Sequence, residues 1–318
     1  MFSSFRILAP RMNCTEECFL LRYFIRTVLL LVICFASVFS ADAYPRRIVS
    51  LSPVGTEILF ALGQGGNIIG VTNFCDYPPE ALKKPKVGDF AALNFEMLVA
   101  GNVDLLVLQD IHKQFLPQLK QLKIPYIVLE QETVSGVYSS IARLGRACGA
   151  EKRAAALTGS IKKEIAAVGS KVQKLSRPQV VLCVSRELAE TQINSFYAAG
   201  SKTFYNELIK LAGGKNSLAF DTAAYPHVAS EGLMKINPDI IIDLVGDKNF
   251  YHSKDNVDLD KVFNKKYLTE QWLRSVKVKA TASGHVSILT GTLYLRPGPR
   301  MGTIVRDFAR AVHPEVKW

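Results

Sequence analysis

Two segments far apart in the chain share one order of polar and apolar positions. In each, an asparagine follows a glutamate by six residues, an aspartate follows it by eight, and three apolar β-forming residues come next. The first set is Glu96, Asn102, Asp104 and 105–107, and the second is Glu231, Asn237, Asp239 and 240–242. A mixed stretch, a turn residue and then β-formers predict a short helix that leads into a buried strand.

The spacing of these two copies predicts the fold class. An entirely apolar strand suits a parallel sheet that is covered on both faces, and copies 135 positions apart favour two similar lobes over a short-period solenoid. The same alternation of strands and helices recurs between and around the copies. We therefore expect an α/β protein with two similar α/β lobes, each around a mainly parallel sheet, joined by one long α-helix.

A single stretch between the two halves has a different pattern. Residues 151–174 are rich in helix formers and contain no proline. A helix of that length spans about 36 Å. The predicted organisation is an N-terminal lobe over 44–150, a linking helix over 151–175 and a C-terminal lobe over 176–318.

The first 43 residues have the pattern of a secretory signal peptide. Basic residues precede an apolar run over 27–39, which is short for a membrane span, and an A-x-A site ends at Ala43. We expect cleavage after Ala43 and a periplasmic protein. Because Ile33 precedes Cys34 where a lipoprotein site has Gly or Ala, a free protein is expected rather than a lipoprotein.

Composition and charge narrow the classes of function. The chain is 48% hydrophobic and 21% charged, which is typical of a globular protein. The net charge of +11 could attract anions, but the basic residues are scattered and no nucleic-acid motif is present, so no nucleic-acid partner is expected. Cys75, Cys148 and Cys183 remain after the leader; the last two could form a disulfide, which spacing alone cannot decide.

The sequence carries no signature of catalysis or of a metal centre. It contains no G-x-S-x-G, H-E-x-x-H, P-loop or dinucleotide fingerprint, so no enzyme is expected. The five histidines show no metal-ligand spacing, so no metal site and no cofactor are expected.

Several short motifs resemble one family in order and spacing. They are IVSLSP at 48–53, TE at 56–57, DYPP at 76–79, LNFE at 93–96 and YPHV at 225–228. Together with the long linking segment they resemble the periplasmic binding proteins that serve ABC importers of vitamin B12, haem and ferric siderophores, with the vitamin B12-binding group most similar. The resemblance implies two lobes on a rigid helix, with an ABC permease dimer and its ATPase subunits as partners.

The resemblance also gives a meaning to the repeated glutamates. From the pattern alone, Glu96 and Glu231 are explained equally well as helix-end charges or as a matched pair of docking charges. The family carries one glutamate per lobe that contacts arginines of the permease, and these positions resemble Glu96 and Glu231. Docking is then the favoured interpretation.

The ligand pocket is likewise implied by the resemblance. By position, its residues would be Tyr77, Phe90, Gln109, Tyr225, Thr292 and Arg296. The family has tryptophan where Phe90 and Gln109 stand and aspartate where Thr292 stands. Arg296 and Arg300 would offer cationic donors near the cleft.

The expected function is capture of a corrinoid and its delivery to an ABC importer. A ferric siderophore or other iron chelate is the alternative, since a basic cleft with Arg296 would also suit it. A haem-binding protein is less favoured because Asp89, where haem-binding relatives often have tyrosine, follows Val87-Gly88. A secreted scaffold without a transport role is a further alternative.

Overall fold

The computed structural model of the protein describes residues 44–88, 93–220, 223–246, 260 and 263–318. The expected leader, the pocket candidate Phe90 and Asp89, which bears on the haem alternative, lie outside the described residues. The strands are β1 Ile48–Ser50, β2 Ile68–Val71, β3 Leu105–Leu108, β4 Tyr126–Val128, β5 Gln179–Arg186, β6 Ser195–Ala198, β7 Lys215–Asn216, β8 His227–Ala229, β9 Ile240–Val245 and β10 Val286–Thr290. The helices are α1 Pro53–Ala61, α2 Phe95–Ala100, α3 Leu116–Gln121, α4 Val134–Ala147, α5 Glu151–Val172, α6 Phe204–Leu211, α7 Ser230–Ile236, α8 Lys265–Ser275, α9 Lys279–Ala282 and α10 Met301–Val312.

The first half of the chain forms a parallel sheet in the order β2-β1-β3-β4. Its central strands are buried on both faces, because alternate residues feed different apolar clusters. Val107 joins the cluster that contains α1 and α4, whereas Leu106 and Leu108 join the cluster under α2 and α3. Such two-sided burial accounts for the unbroken apolar run of β3.

The second half forms a mixed sheet in the order β10-β9-β5-β6-β8, with β7 paired to β5. The pairs β9 with β10, β5 with β9 and β5 with β7 are parallel. However, β6 runs antiparallel to both β5 and β8. Only a short loop joins β5 to β6, and a connection that short permits only antiparallel pairing. The fold class is confirmed, and this second sheet is mixed with most of its strand pairs parallel.

The repeated segments have the same local structure. Each copy is a short helix, α2 or α7, followed by a central strand, β3 or β9. Asn102 and Asn237 both adopt left-handed backbone conformations, with φ of 45° and 48°. Asp104 Oδ1 accepts from the Arg47 backbone N–H at 2.9 Å, and Asp239 Oδ2 accepts from the Gln179 N–H at 2.8 Å. In each half, therefore, the aspartate holds the chain at the amino end of the neighbouring strand.

Helix α5 is the single long element between the two sheets in sequence. It buries a stripe at regular spacing, formed by Ala154, Ile161, Val168 and Val172. It packs against α4 of the first half and α10 of the second. One apolar cluster contains this stripe together with side chains from both sheets, so the core continues through the junction. The predicted lobe boundaries at 150 and 176 stay predictions, because residues Pro45–Trp318 group as one compact unit.

Two smaller expectations are decided by side-chain burial and helix length. Cys75, Cys148 and Cys183 are buried and unbridged, so the disulfide considered between the last two is absent. Burial raises the pKa of the Cys148 thiol to about 11. Among the helices of the described ranges, none has the length and apolar character that a bilayer crossing requires.

Candidate functional site

The sheet topology of the first lobe marks a place for a ligand. Chain order reverses between β1 and β3, and in open parallel sheets ligands bind beyond the carboxyl ends of strands at such a point. Ser52 stands two residues after β1 and caps α1 by accepting from the Gly55 N–H at 3.1 Å. Gln109 follows β3. The Gln131 side chain donates to Ser52 Oγ at 3.1 Å and completes this edge.

The segment after β10 crosses from the second lobe to this edge. At Gly298 an added Cβ would lie 3.2 Å from Val54 Cγ1, so the crossing segment passes close against the start of α1. A bidentate ion pair follows. Arg300 Nε and Nη2 donate to the two oxygens of Glu57, at 2.8 and 2.6 Å.

Glu57 is a carboxylate placed inside the protein. Glu57 lies on α1 and is only 4% exposed. Burial raises the pKa of the Glu57 carboxyl above its ordinary value, although the hydrogen bond and charge of Arg300 oppose this change. A buried carboxylate that lost Arg300 would be left without its main partner, which is strongly unfavourable. The pair therefore ties the two lobes together at a fixed point.

A second interlobe ion pair lies nearer the surface. Both terminal nitrogens of Arg296 donate to the carboxylate of Asp76, and Nη2 also donates to the Phe74 carbonyl at 2.8 Å. Thr292 Oγ1 donates to Asp76 Oδ2 at 3.1 Å. Burial acts to raise the pKa of the Asp76 carboxyl, but the Arg296 hydrogen bond and charge outweigh it, so the pKa lies below its ordinary value.

Two cavities open at this junction. The smaller one, of about 230 Å³, lies between the lobes and is lined by Gln109, Gln131, Thr292 and Arg296 together with apolar residues. The larger one, of about 570 Å³, continues from Gln109 along the end of β4 to Thr133. Small-molecule sites in proteins have volumes of about 300–1,000 Å³, so the joined space suits a small solute.

The sequence-predicted pocket residues divide into two groups. Gln109, Thr292 and Arg296 line the smaller cavity. Two tyrosines lie apart from them and are about half exposed, Tyr77 at 42% and Tyr225 at 46%. The Arg300 guanidinium carbon stands 3.8 Å from the centroid of the Tyr77 ring. Burial, and then the charge of Glu132 on the rim of the larger cavity, raise the pKa of Tyr225.

The expected cationic donors do not point freely into the cleft. The guanidinium groups of Arg296 and Arg300 both donate hydrogen bonds to carboxylates of the other lobe. The partners, Glu57 and Asp76, were not among the predicted site residues. Both stand in motifs that carried the family resemblance, but nothing in the sequence showed which arginines they meet.

The repeated glutamates occupy matching positions. Glu96 is the second residue of α2 and Glu231 the second residue of α7, and both are exposed. Neither lines either of the two cavities. A carboxylate in the first turn also complements the partial positive charge of a helix N-terminus. The two side chains therefore meet the positional requirements of a docking pair, while their role stays a prediction.

Comparison with known families decides the class of the protein. The sequence profile of the periplasmic binding protein family matches residues 48–268. The chain belongs to the periplasmic binding protein family. This family is a class of solute-binding proteins, and the match includes both repeated segments and the whole of α5.

Individual relatives of this binding protein cover most of its length. An uncharacterized ABC transporter substrate-binding lipoprotein of Bacillus subtilis is 29% identical over 276 residues, which is 85% of this chain and 81% of the relative. The vitamin B12-binding protein of Pectobacterium atrosepticum is 25% identical over 205 residues, 64% of this chain and 73% of the relative.

A solved structure extends the comparison. The crystal structure of a possible iron-binding (periplasmic solute-binding) protein from Staphylococcus epidermidis matches this binding protein with a TM-score of 0.68 and 25% identity. The match covers 84% of this chain and 98% of that one. The two-lobed arrangement is therefore shared with a protein of the same broad class.

Three histidines of this binding protein contact neighbouring protein groups. His112 is buried and accepts from the Gln109 N–H through Nδ1 at 3.2 Å, and burial lowers the pKa of its ring. His313 is buried at the carboxyl end of α10 and contacts Glu315. His227 packs its ring 5.0 Å from that of Tyr197. Over the described ranges, no group of three or more His, Cys, Asp or Glu side chains is placed to hold a metal ion.

Proposed function

We propose that this protein captures a corrinoid outside the cytoplasmic membrane and delivers it to an ABC importer. The observation that carries the proposal is the interlobe cleft. Two cavities open there at the carboxyl ends of strands, and the half-exposed rings of Tyr77 and Tyr225 lie outside their linings, next to Arg300 and near Glu132 respectively. Large flat ligands bind in mostly apolar sites with aromatic walls and a few polar groups.

The names of two relatives support this assignment. One relative is named a vitamin B12-binding protein and another an ABC transporter substrate-binding lipoprotein. By analogy, the partners of the present protein are a permease dimer and its ATPase subunits. The leader that the sequence predicts, with cleavage after Ala43, would place the mature protein in the periplasm.

A ferric siderophore is the second candidate ligand. It is favoured by the similar structure from Staphylococcus epidermidis, which is described as possibly iron-binding. The cleft arginines that would suit an anionic chelate are engaged by Glu57 and Asp76. We therefore place the corrinoid first.

The test is an absorbance titration of the purified mature protein. Cyanocobalamin, cobinamide and several ferric chelates are added separately, and the change in each ligand's own spectrum reports binding. We expect saturable binding of a corrinoid. Saturation by a ferric chelate alone would transfer the assignment to the second candidate, and absence of binding to all of them would favour a secreted scaffold without a transport role.

A further inference from the structure

The interlobe cleft contains arginines but little uncompensated positive charge. The Arg300 guanidinium faces both oxygens of Glu57, and that of Arg296 faces both oxygens of Asp76. Arg296 Nη1 also lies 3.9 Å from Glu57 Oε1. The side chains of Arg296 and Glu57 are 10% and 2% exposed, so solvent screens their interaction weakly. Two protein carboxylates thus occupy the positions that ligand anions would take.

The remaining charge at the cleft is negative. The larger cavity is lined by three carboxylates, Asp110, Glu130 and Glu132, and by one ammonium group, Lys113. Lys113 pairs with Asp110 at 2.7 Å, and Glu130 pairs with Arg143 at 3.2 Å. Within the described part of the chain, Glu132 has no hydrogen bond or ion pair, and its charge acts on the Tyr225 hydroxyl.

This distribution of charge has a direct consequence for a ligand. Because the other charges of the lining are paired, the unpaired charge of Glu132 sets the sign of the potential that an entering ligand meets. A polyanionic chelate would meet Glu132 without a free guanidinium to offset the repulsion. Alternatively it would have to displace Asp76 from Arg296 and leave that carboxylate without its partner. A neutral or cationic ligand with amide groups meets neither obstacle, because amide N–H groups donate to carboxylates.

We propose that Asp76 and Glu132 determine ligand specificity by charge, so that the cleft accepts a neutral or cationic, amide-bearing solute and rejects polyanionic chelates. This inference rests on the proposed function, since it concerns ligands of the same cleft. Discrimination by an unfavourable contact is a common route to specificity. Asp76 acts by occupying Arg296, and Glu132 acts by its own charge at the rim.

The experiment compares two ligands of opposite charge on three proteins. The ligands are aquacyanocobinamide, a monocation with peripheral amides, and a ferric tricatecholate, a trianion. The proteins are the wild type, Asp76→Asn and Glu132→Gln, and dissociation constants are measured by absorbance or fluorescence. We expect each substitution to strengthen binding of the ferric tricatecholate about tenfold or more, and Glu132→Gln to weaken binding of the cobinamide. Glu132 is exposed, so this variant tests the proposal even where Asp76→Asn does not fold.

A matched control separates local charge from net charge. Glu270→Gln removes one carboxylate from the outer surface of α8, where Glu270 pairs with Arg274, and should change neither affinity. The proposal is overturned when neither cleft variant binds the ferric tricatecholate more tightly than the wild type does, including the case in which all three bind too weakly to detect. It is also overturned when the wild type prefers the trianion. Failure of the wild type to bind any corrinoid would instead contradict the proposed function, and a gain in tricatecholate binding would still be read from the variants.

Discussion

Glu57 and Asp76, the two carboxylates that join the lobes, respond to pH in opposite directions. The pKa of Glu57 lies above its ordinary value of 4.5 because of burial, so the folded state holds this proton more tightly than the unfolded state does. Its contribution to stability is fully present below pH 4.5 and is lost as the pH rises through the higher folded pKa. The pKa of Asp76 lies below its ordinary value of 3.8 because Arg296 outweighs burial. Its contribution is present above pH 3.8 and is lost as the pH falls through the lower folded pKa.

These directions predict how substitutions change the pH dependence of stability. We expect Glu57→Gln to remove a fall in the free energy of unfolding that the wild type shows as the pH rises from 4.5. We expect Asp76→Asn to reduce the fall in the free energy of unfolding that the wild type shows as the pH decreases below 3.8. Urea unfolding at a series of pH values gives both slopes. Each variant also loses an ion pair, which shifts its free energy of unfolding at every pH. The comparison therefore uses the slope of the free energy of unfolding with pH. Identical slopes in wild type and Glu57→Gln would contradict the assignment.

Tyr225 is the residue on which the pocket assignment depends most directly. We expect Tyr225→Ala to weaken ligand binding by about 1–3 kcal/mol, the scale of one buried aromatic side chain. The titration described above measures the change. Leu273→Ala removes another side chain of similar exposure, on α8, and should leave the affinity unchanged. Unaltered affinity in both Tyr77→Ala and Tyr225→Ala would place the ligand elsewhere.

At the scale of single residues, the sequence indicated pocket positions but did not indicate which side chains pair with the arginines among them. Gln109, Thr292 and Arg296 line one cavity, while their role in ligand binding stays a prediction. The partners of the arginines could not be found in the same way. Asp76 lies 220 residues from Arg296, and Glu57 lies 243 residues from Arg300. Pairings over such distances depend on how the lobes pack and leave no local pattern in the chain.

Among the elements, the repeated helix and strand unit shows why two of its residues recur. Asn102 and Asn237 end their helices in the left-handed region, which asparagine tolerates better than most residues do. Asp104 and Asp239 then accept backbone N–H groups at the start of the adjacent strand. The recurring spacing of six and eight residues therefore follows from two shared features, the geometry of a helix end and the pairing of the next strand.

The left-handed positions give a prediction with an internal control. We expect Asn102→Ala and Asn237→Ala each to lower the free energy of unfolding by about 1–2 kcal/mol, since a Cβ in this conformation contacts the following carbonyl. Glycine at the same positions should be tolerated, because it adopts positive φ readily. Chemical denaturation of the four variants measures the difference. Asn237 Oδ1 also accepts from the Lys279 N–H at 2.9 Å, so Asn237→Gly should lose slightly more than Asn102→Gly. Equal stability of the alanine and glycine variants would contradict the backbone explanation.

Elements with a strong local signal were predictable, whereas those defined by tertiary contacts were not. The linking helix, expected over 151–175, is α5 Glu151–Val172. Helix α4 was not predicted, because serines and glycines interrupt its sequence, although Thr133 caps it and its buried stripe is regular. Strands β6 and β8 are short, and they join the sheet through tertiary pairing, β6 with β5 and β8 with β6.

For the whole molecule, the junction between the lobes predicts a small closure on ligand binding. The lobes share a continuous apolar core along α5, and two ion pairs cross between them. In addition, Glu207 Oε2 accepts from the Val134 N–H at 2.9 Å at the start of α4. Large domain movements need a few loop residues that absorb changes in φ and ψ, and α5 is helical over its 22 residues. We expect nearly identical small-angle scattering profiles with and without ligand. A large decrease in the radius of gyration would show that the junction bends.

The last prediction concerns the face that meets the permease. Glu96 and Glu231 are exposed at the starts of the two equivalent helices and line neither cavity, so their charges are available to a partner. Reversing both in a Glu96→Lys, Glu231→Lys variant should leave ligand affinity unchanged. It should alter the free energy of unfolding by no more than about 0.5 kcal/mol per site, as surface substitutions usually do. Transport should be abolished, because lysines would then oppose the arginines that the family resemblance implies on the permease.

Ligand titration and whole-cell uptake on the same variant provide the measurement. A Glu151→Lys, Glu190→Lys variant makes the same change in net charge at other exposed positions and should retain uptake. Loss of uptake in both variants would point to net charge as the cause. Uptake that survives the reversal of Glu96 and Glu231, or a fold that is lost with it, would leave the two carboxylates with no role beyond complementing their helix N-termini. Loss of uptake only in the first variant, with ligand affinity intact, would assign the repeated glutamates to docking, because binding and delivery would then have been separated on one chain.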